Sequence, residues 1–190
     1  MHIFTENAEG LDQARLSGSV GERITVKDKP VRVATESEYH AALKEVNRCN
    51  STALRKAARN VSQLYDAALS DSGLRSTQRS ILLHIARAGR PLMGELAEKL
   101  VLDRTALSHN LKPLERDGLV LVVVDDLDKR SRRIVLTKAG KQKIRETLCL
   151  WENAQQVFER SFGVKRAREL RDALAIIASL KFDNPPDFSG

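Results

Sequence analysis

The sequence predicts a mostly α-helical chain carrying one small β-hairpin, and three adjacent stretches predict it. Between Asp103 and Gly118, Leu107, Leu111 and Leu114 recur at helical spacing on one narrow stripe. Asp103 is suited to cap that helix and Gly118 to end it. Upstream, Leu92, Leu96 and Leu100 stand four apart around the small Ala97, with only Val101 and Leu102 before the next cap. Downstream, the β-branched run 119–124, a polar turn at 125–130 and Arg132-Arg-Ile-Val-Leu136 read as two strands. Two helices joined by so short a link cross steeply, and with the hairpin they make a winged helix-turn-helix. Helices on either side read as N- and C-terminal dimerisation elements.

Residues 1–36 form a polar, glycine-containing extension, expected to be partly disordered or a small hairpin, since 23–33 alternates around Lys27-Asp28-Lys29-Pro30. Residues 37–74 hold the N-terminal helices, whose apolar face is suited to meet another subunit or the core. Ser37 with Glu38 starts a short helical pattern through Tyr39, Leu43 and Val46. Asn50-Ser51-Thr52 then offers a cap for a longer helix with a wide apolar face of Leu54, Ala57, Ala58, Val61, Leu64, Tyr65 and Ala68.

The winged module spans 75–140. Its first helix begins at Ser76-Thr77-Gln78, backs the helix pair with Ile81, Leu82, Ile85 and Ala86, and stops at Gly89. Thr137 is expected to cap one long helix to about Phe162, with Ile144, Leu148, Trp151, Val157 and Phe158 along one side. After Gly163 a last helix repeats the pattern with Ala167, Leu170, Leu174 and Ile177. These C-terminal helices occupy 141–182, ahead of a loose tail at 183–190. Two amphipathic helices beyond a finished module bury their stripes against each other and a partner chain, so a homodimer is expected.

The face opposite the leucine stripe carries Arg104, Thr105, Ser108, His109, Lys112 and Arg116. Hydroxyls and an imidazole can hydrogen-bond base edges, while lysine and arginine meet guanine or phosphate, so this face suits a DNA major groove. Taken alone it is also what any solvated helix presents; the flanking helix and hairpin favour the first reading. Pro113 lies inside the helix, where its ring and missing N–H predict a kink.

The net charge of +7 favours a polyanionic partner. The charge is not concentrated on the reading segment, where seven bases face six acids between 102 and 133. Further bases at 75–99 and 138–145 are placed to flank a phosphate backbone. Two cysteines a hundred residues apart make no disulfide framework and suit a reducing, cytoplasmic setting. No apolar run reaches membrane length and Met1–Gly10 lacks the apolar core of a leader. Four scattered histidines have no metal-ligand spacing, and no cofactor is implied. Ser108 and His109 point about 100° apart on a helix and make no catalytic dyad, so no catalytic residue is assigned and the chain reads as a non-enzyme.

Glu95-Leu-Ala97, Leu114-Glu-Arg-Asp-Gly-Leu-Val120, Asp128-Lys-Arg130 and Leu136-Thr-Lys-Ala-Gly140, in that order and spacing, resemble the signature of the MarR family of bacterial transcription regulators. The resemblance runs from near Cys49 to near Lys181 and leaves the first 45 or so residues without an assigned role. It implies that the helix following Cys49 dimerises. Many members place an arginine at the wing tip, in the minor groove; Leu127 stands there in this chain, leaving Lys129, Arg130 or Arg132 to make that contact. Asp128 with Arg130 matches the ion pair that shapes the wing in relatives.

In part of the family a cysteine at the start of the dimer helix senses oxidants, which makes Cys49 a redox candidate; Cys149 reads as core. Relatives often release DNA when a small, commonly aromatic molecule enters the crevice between dimer helices and winged module, where Arg59, Tyr65, His84 and Trp151 are the candidate lining. The expected function is therefore a dimeric, sequence-specific regulator of double-stranded DNA with an inverted-repeat operator, a repressor released by a small-molecule effector. The alternatives are a thiol-based switch through Cys49, or a winged-helix protein-interaction module that does not bind DNA.

Overall fold

The computed structural model describes residues 24–26 and 29–180. Expectations for residues 1–23, for the turn at 27–28 and for the tail from 181 lie outside these. The chain divides into two compact units, with the boundary inside one helix, between Leu54 and Arg55.

In the first unit, β1 (Ile24–Val26) pairs antiparallel with β2 (Lys29–Val31), Thr25 opposite Pro30. Helix α1 (Glu36–Lys44) starts one residue before Ser37. Thr35 is its N-cap: the Thr35 hydroxyl accepts from Glu38 N–H at 3.4 Å, and Glu38 accepts from Thr35 N–H at 2.7 Å. Arg32 adds an ion pair to Glu38 at 2.7 Å. Those bonds, Arg32 first, hold the Glu38 carboxyl down at about 2.

A 3₁₀ turn at Val46–Arg48 leads to α2 (Asn50–Leu69). The cap is not the Asn50-Ser51-Thr52 run but the residue before it. Cys49 is extended at ψ 107°, its carbonyl accepts Ala53 N–H at 3.0 Å, and its sulfur accepts Thr52 N–H at 3.5 Å.

In the second unit, α2 ends in a 3₁₀ turn at Ser70–Ser72 and a left-handed Gly73. Helix α3 (Ser76–Ala88) follows, opened by Gln78 accepting Arg75 N–H at 2.8 Å. Next come α4 (Met93–Lys99), α5 (Arg104–Arg116), β3 (Val120–Val124) and β4 (Arg132–Leu136). Strands β3 and β4 pair antiparallel with Val122 opposite Ile134. Pro91 and Leu92 add a bridge along the outer edge of β4, where Ile134 N–H donates to Pro91 O at 3.0 Å.

One core fills the space between these elements: Ile81, Leu82 and Ile85 from α3, Leu96 and Ala97 from α4, Leu107, Leu111 and Leu114 from α5, and Leu119, Val120, Ile134 and Leu136 from the hairpin. Ala86, expected with the first group, is exposed. The period-3.6 stripes and the period-2 strands thus point at a common interior.

The expected long helix after the wing is two. Helix α6 (Lys138–Glu146) and α7 (Leu148–Phe162) meet at Thr147, which is fully buried. The Thr147 hydroxyl donates back to Ile144 O at 2.9 Å and accepts from Arg79 Nε at 3.1 Å. Such a back-bonded, laterally anchored threonine bends a helix, and no periodicity announces it. Helix α8 (Val164–Ser179) follows Gly163. Its Leu174, Ile176 and Ile177 are exposed in the single chain, as are Leu148, Val157 and Phe162 of α7. Cys149 is exposed too, not part of the core.

Candidate nucleic-acid interface

Helix α5 is built as its sequence indicated. Asp103 Oδ1 accepts Ala106 N–H at 2.7 Å, and the three leucines of the stripe are at most 2% exposed. With one face committed to the core, the opposite face is fixed outward: Arg104, Thr105, Ser108, His109, Lys112 and Arg116 are all exposed. Pro113 does not end the helix, which runs through it to Arg116. Arg116 is partly occupied by Asp117, 2.9 Å away, whose hydrogen bond raises its pKa further.

The link into α5 is tight because α4 closes in a Schellman turn. Leu102 N–H donates to Ala97 O at 2.9 Å and Val101 N–H to Glu98 O at 3.1 Å. Val101 takes the left-handed position usually given to glycine, at φ 53°.

The wing is held by an interaction that no sequence pattern announced. Arg133 grips Asp125 through Nε at 3.0 Å and Nη2 at 3.2 Å, and its Nη1 donates to Arg90 O at 2.8 Å. The pairing holds the Asp125 carboxyl below, and the Arg133 guanidinium above, their ordinary ranges. The Asp128–Arg130 pair is present but loose at 3.6 Å. Asp128 mainly shapes the turn, accepting Arg130 N–H at 3.0 Å and the Ser131 hydroxyl at 2.8 Å. Arg132 folds back on the carbonyls of Lys129 and Ser131, both at 3.1 Å, whereas Arg130 is 97% exposed.

Helix-turn-helix and wing meet in a cleft of about 420 Å³ lined by Leu92, Met93, Gly94, Glu95, Arg104, Arg130, Ser131 and Arg132. Three guanidinium groups therefore border one hollow beside the exposed face of α5. Gly94 leaves room for one of them, since a Cβ there would sit 3.2 Å from Arg104 Nη2.

The wing is tied to α5 and α6 at Thr137. Its N–H donates to Leu119 O at 3.1 Å, its hydroxyl lies 2.7 Å from Gly118 O, and it accepts Gly140 N–H at 2.9 Å. Gly140 passes so close to the Leu119 carbonyl that no side chain fits.

The sequence model described as "MarR family" matches residues 72–131, the span from α3 to the wing. The solved M. tuberculosis transcriptional regulator MosR, in complex with DNA, is 36% identical, covers 70% of this chain and 99% of its own, and superposes with a TM-score of 0.58. The chain belongs to the MarR family.

This is a family of DNA-binding transcriptional regulators, and the outward face of α5 and all of the three-arginine cleft but Arg132 lie within the matched span of this member. The "Transcriptional activatory protein BadR" of Rhodopseudomonas palustris is 33% identical over 113 residues, 58% of this chain. The chain spans 64% of that relative's length. CouR from Rhodococcus jostii, solved with p-coumaroyl-CoA, shares the fold at 22% identity and a TM-score of 0.59, covering 68% of this chain and 91% of its own.

Of the four candidate effector residues, two come together. Tyr65 and Trp151 line a cavity of about 220 Å³ with Leu69, Ser76, Arg79, Ser80 and Leu83. Arg59 does not line it, and His84 lines a separate cleft with Arg87, Ala88 and Lys99. The sequence reading left out Arg79, which lines the same cavity and is only 5% exposed. Its guanidinium lies 5.0 Å from the Trp151 ring centroid, and among the described residues it has no carboxylate partner. Burial pulls its pKa down, yet a guanidinium stays charged. One signal was available: Arg79 stands three residues before Leu82, on the apolar side of α3.

Tyr65 donates to Gln155 Oε1 at 2.6 Å, and Gln155 donates on to Glu159 at 2.7 Å, connecting this cavity to α7. Cys49 is exposed, in the other unit. Among the described residues there is no cluster able to hold a metal ion and no helix long and apolar enough to cross a membrane.

Proposed function

We propose that this chain is a homodimeric, sequence-specific transcriptional regulator of the cytoplasm that represses by occupying an inverted-repeat operator and lets go when a small aromatic, anionic effector enters the cavity around Arg79. The carrying observation is the division of α5: a fully buried leucine stripe behind, six exposed polar side chains in front, and a three-arginine cleft beside them. Thr105, Ser108 and His109 would read bases, and Arg104, Lys112, Arg116, Lys129, Arg130 and Arg132 would meet phosphates or the adjoining minor groove. Two copies of α5 on successive major grooves imply half-sites about 10 base pairs apart.

Dimerisation is supported by the exposed apolar residues of α7 and α8, which in water alone would be a liability. MosR has been captured on DNA. The effector reading draws on the unpaired charge of Arg79 beside an aromatic ring, and on CouR, captured with an aromatic thioester.

Selection of bound sequences from random duplexes, followed by gel shifts at several salt concentrations, tests this. His109→Ala should relax sequence preference. Arg130→Ala and Arg132→Ala should weaken binding to every sequence and reduce the salt slope by about one unit for each phosphate no longer neutralised. Equal losses for all three variants on matched and scrambled sites would refute the division of labour. The name of BadR favours a second reading, activation from the same site, and a reporter gene behind the selected operator separates the two signs.

A thiol switch has one observation in its favour, the exposure of Cys49 at the amino end of α2. Unchanged DNA affinity after mild peroxide treatment of the wild type, with Cys49→Ser as control, removes it.

A further inference from the structure

The turn of the wing is cross-braced by hydrogen bonds, and most of its polar side chains have an internal task. Asp125 accepts Arg133 on both oxygens and Leu127 N–H at 3.3 Å. Asp128 accepts from Arg130 N–H and Ser131, and Arg132 caps two carbonyls. Asp126 has Arg90 at 4.0 Å. Asp125 N–H to Ser131 O at 3.1 Å, and Ser131 N–H to Asp128 O at 2.9 Å, close the loop.

At its apex stands Leu127, 92% exposed, the most exposed large apolar side chain among the described residues. A lone exposed leucine is ordinary. This one stands on a hydrogen-bonded tip three residues before the fully projecting Arg130, which lines the same cleft as Arg104 of α5.

We propose that Leu127 is a specificity-determining residue: an apolar wedge that enters the minor groove flanking each half-site and favours flexible pyrimidine–purine steps. The proposal rests on the DNA-binding reading above. The occupant follows from charge and continuity, because exposed Lys129 and Arg130 follow within three residues of the tip as phosphate-binding groups, and the wing shares a cleft with the start of α5 through Arg130, Ser131 and Arg132. A cationic tip responds to the strong negative potential of a narrow A-tract groove. A leucine gains nothing from that potential. It gains by burying its side chain against sugar edges and partly unstacked bases, which is cheapest at TA and CA steps. The expected preference is therefore the reverse of that of a basic tip.

The test uses the full chain and the inverted-repeat duplex recovered by selection with the wild-type protein. The flanking steps on both sides are set to TA, to an A-tract or to GC, and affinity and donor–acceptor transfer between labelled DNA ends are measured. The wild type should prefer the TA flank by about tenfold and bend it most. Leu127→Ala should bind the core sequence with that preference and the extra bend erased, and Leu127→Arg should move the preference to the A-tract. At 92% exposure neither change threatens folding. A wild-type protein that binds no duplex overturns the DNA-binding reading and this proposal together. Binding with a flat flank series, or a flank preference that survives Leu127→Ala, overturns this proposal alone.

Discussion

Alanine at Gly140 puts a methyl group where α6 leaves no room for one. The added Cβ would run into the Leu119 carbonyl oxygen and lie 2.7 Å from Leu136 Cδ1. Leu136 Cδ1 can rotate aside; the carbonyl is backbone, and it accepts Thr137 N–H at 3.1 Å with the Thr137 hydroxyl also 3.1 Å away. Overpacking costs about 1–3 kcal/mol. Loosening the bonds at Leu119 costs about 1 kcal/mol more, and the better helix propensity of alanine returns about 1 kcal/mol. The net loss is about 2 kcal/mol, a Tm lower by about 4–8 °C in a chain of this length.

Circular-dichroism melts at one fixed protein concentration measure it, the concentration held because dimers melt by mass action. Gly94→Ala is the control: its Cβ meets only the mobile end of Arg104, at 3.2 Å, so α4 should hold its stability or gain up to about 1 kcal/mol. A Gly140→Ala protein melting at or above the wild type would falsify the close-approach argument, because the hairpin would then have moved at no cost.

Three further outcomes follow from the same structure. Val101→Gly relieves a β-branched residue at φ 53° but loosens the unfolded chain, so urea titration should show a gain of up to about 1 kcal/mol; a loss would mean that this 69% exposed valine is held by packing. Arg79→Met removes a buried charge with no acidic partner, so stability should stay within about 1 kcal/mol of wild type or rise. Release of DNA by aromatic carboxylates, and not by their uncharged amides, should disappear in that variant; retained release would clear Arg79 of the effector role. Asp125 has a folded pKa below its ordinary value of about 3.9, so its contribution is complete above that value and is lost as pH falls through the folded value. Amide exchange in β3 and β4 should therefore accelerate in strong acid before it does in α3, and equal acceleration would assign the change to global unfolding.

Much of the winged module was legible because its instructions are local. The stripe of Leu107, Leu111 and Leu114, the Asp103 cap and the β-branched run of β3 are each set within a few residues of sequence. Where the sequence misled, a local pattern had competitors that only context ranks. Asn50, Ser51 and Thr52 all look like better caps than Cys49, yet Cys49 holds the extended backbone. Cys149, between two leucines, looks buried and is exposed on the single chain. Of the candidate effector residues, Tyr65 and Trp151 share a cavity while His84 and Arg59 do not, because which helix faces meet depends on how α2, α3 and α7 rotate about their axes.

The sequence by itself determined the elements of the winged module, the faces of the helix-turn-helix and the residues that α5 shows to solvent, since helical and strand periods and caps act over three or four residues. Only the tertiary structure decided that Arg79 reaches across 68 positions to Thr147, where α6 gives way to α7, and that Arg133 locks Asp125. Those pairings join elements whose relative positions are set by the shared core, and no short stretch of chain contains both partners' surroundings.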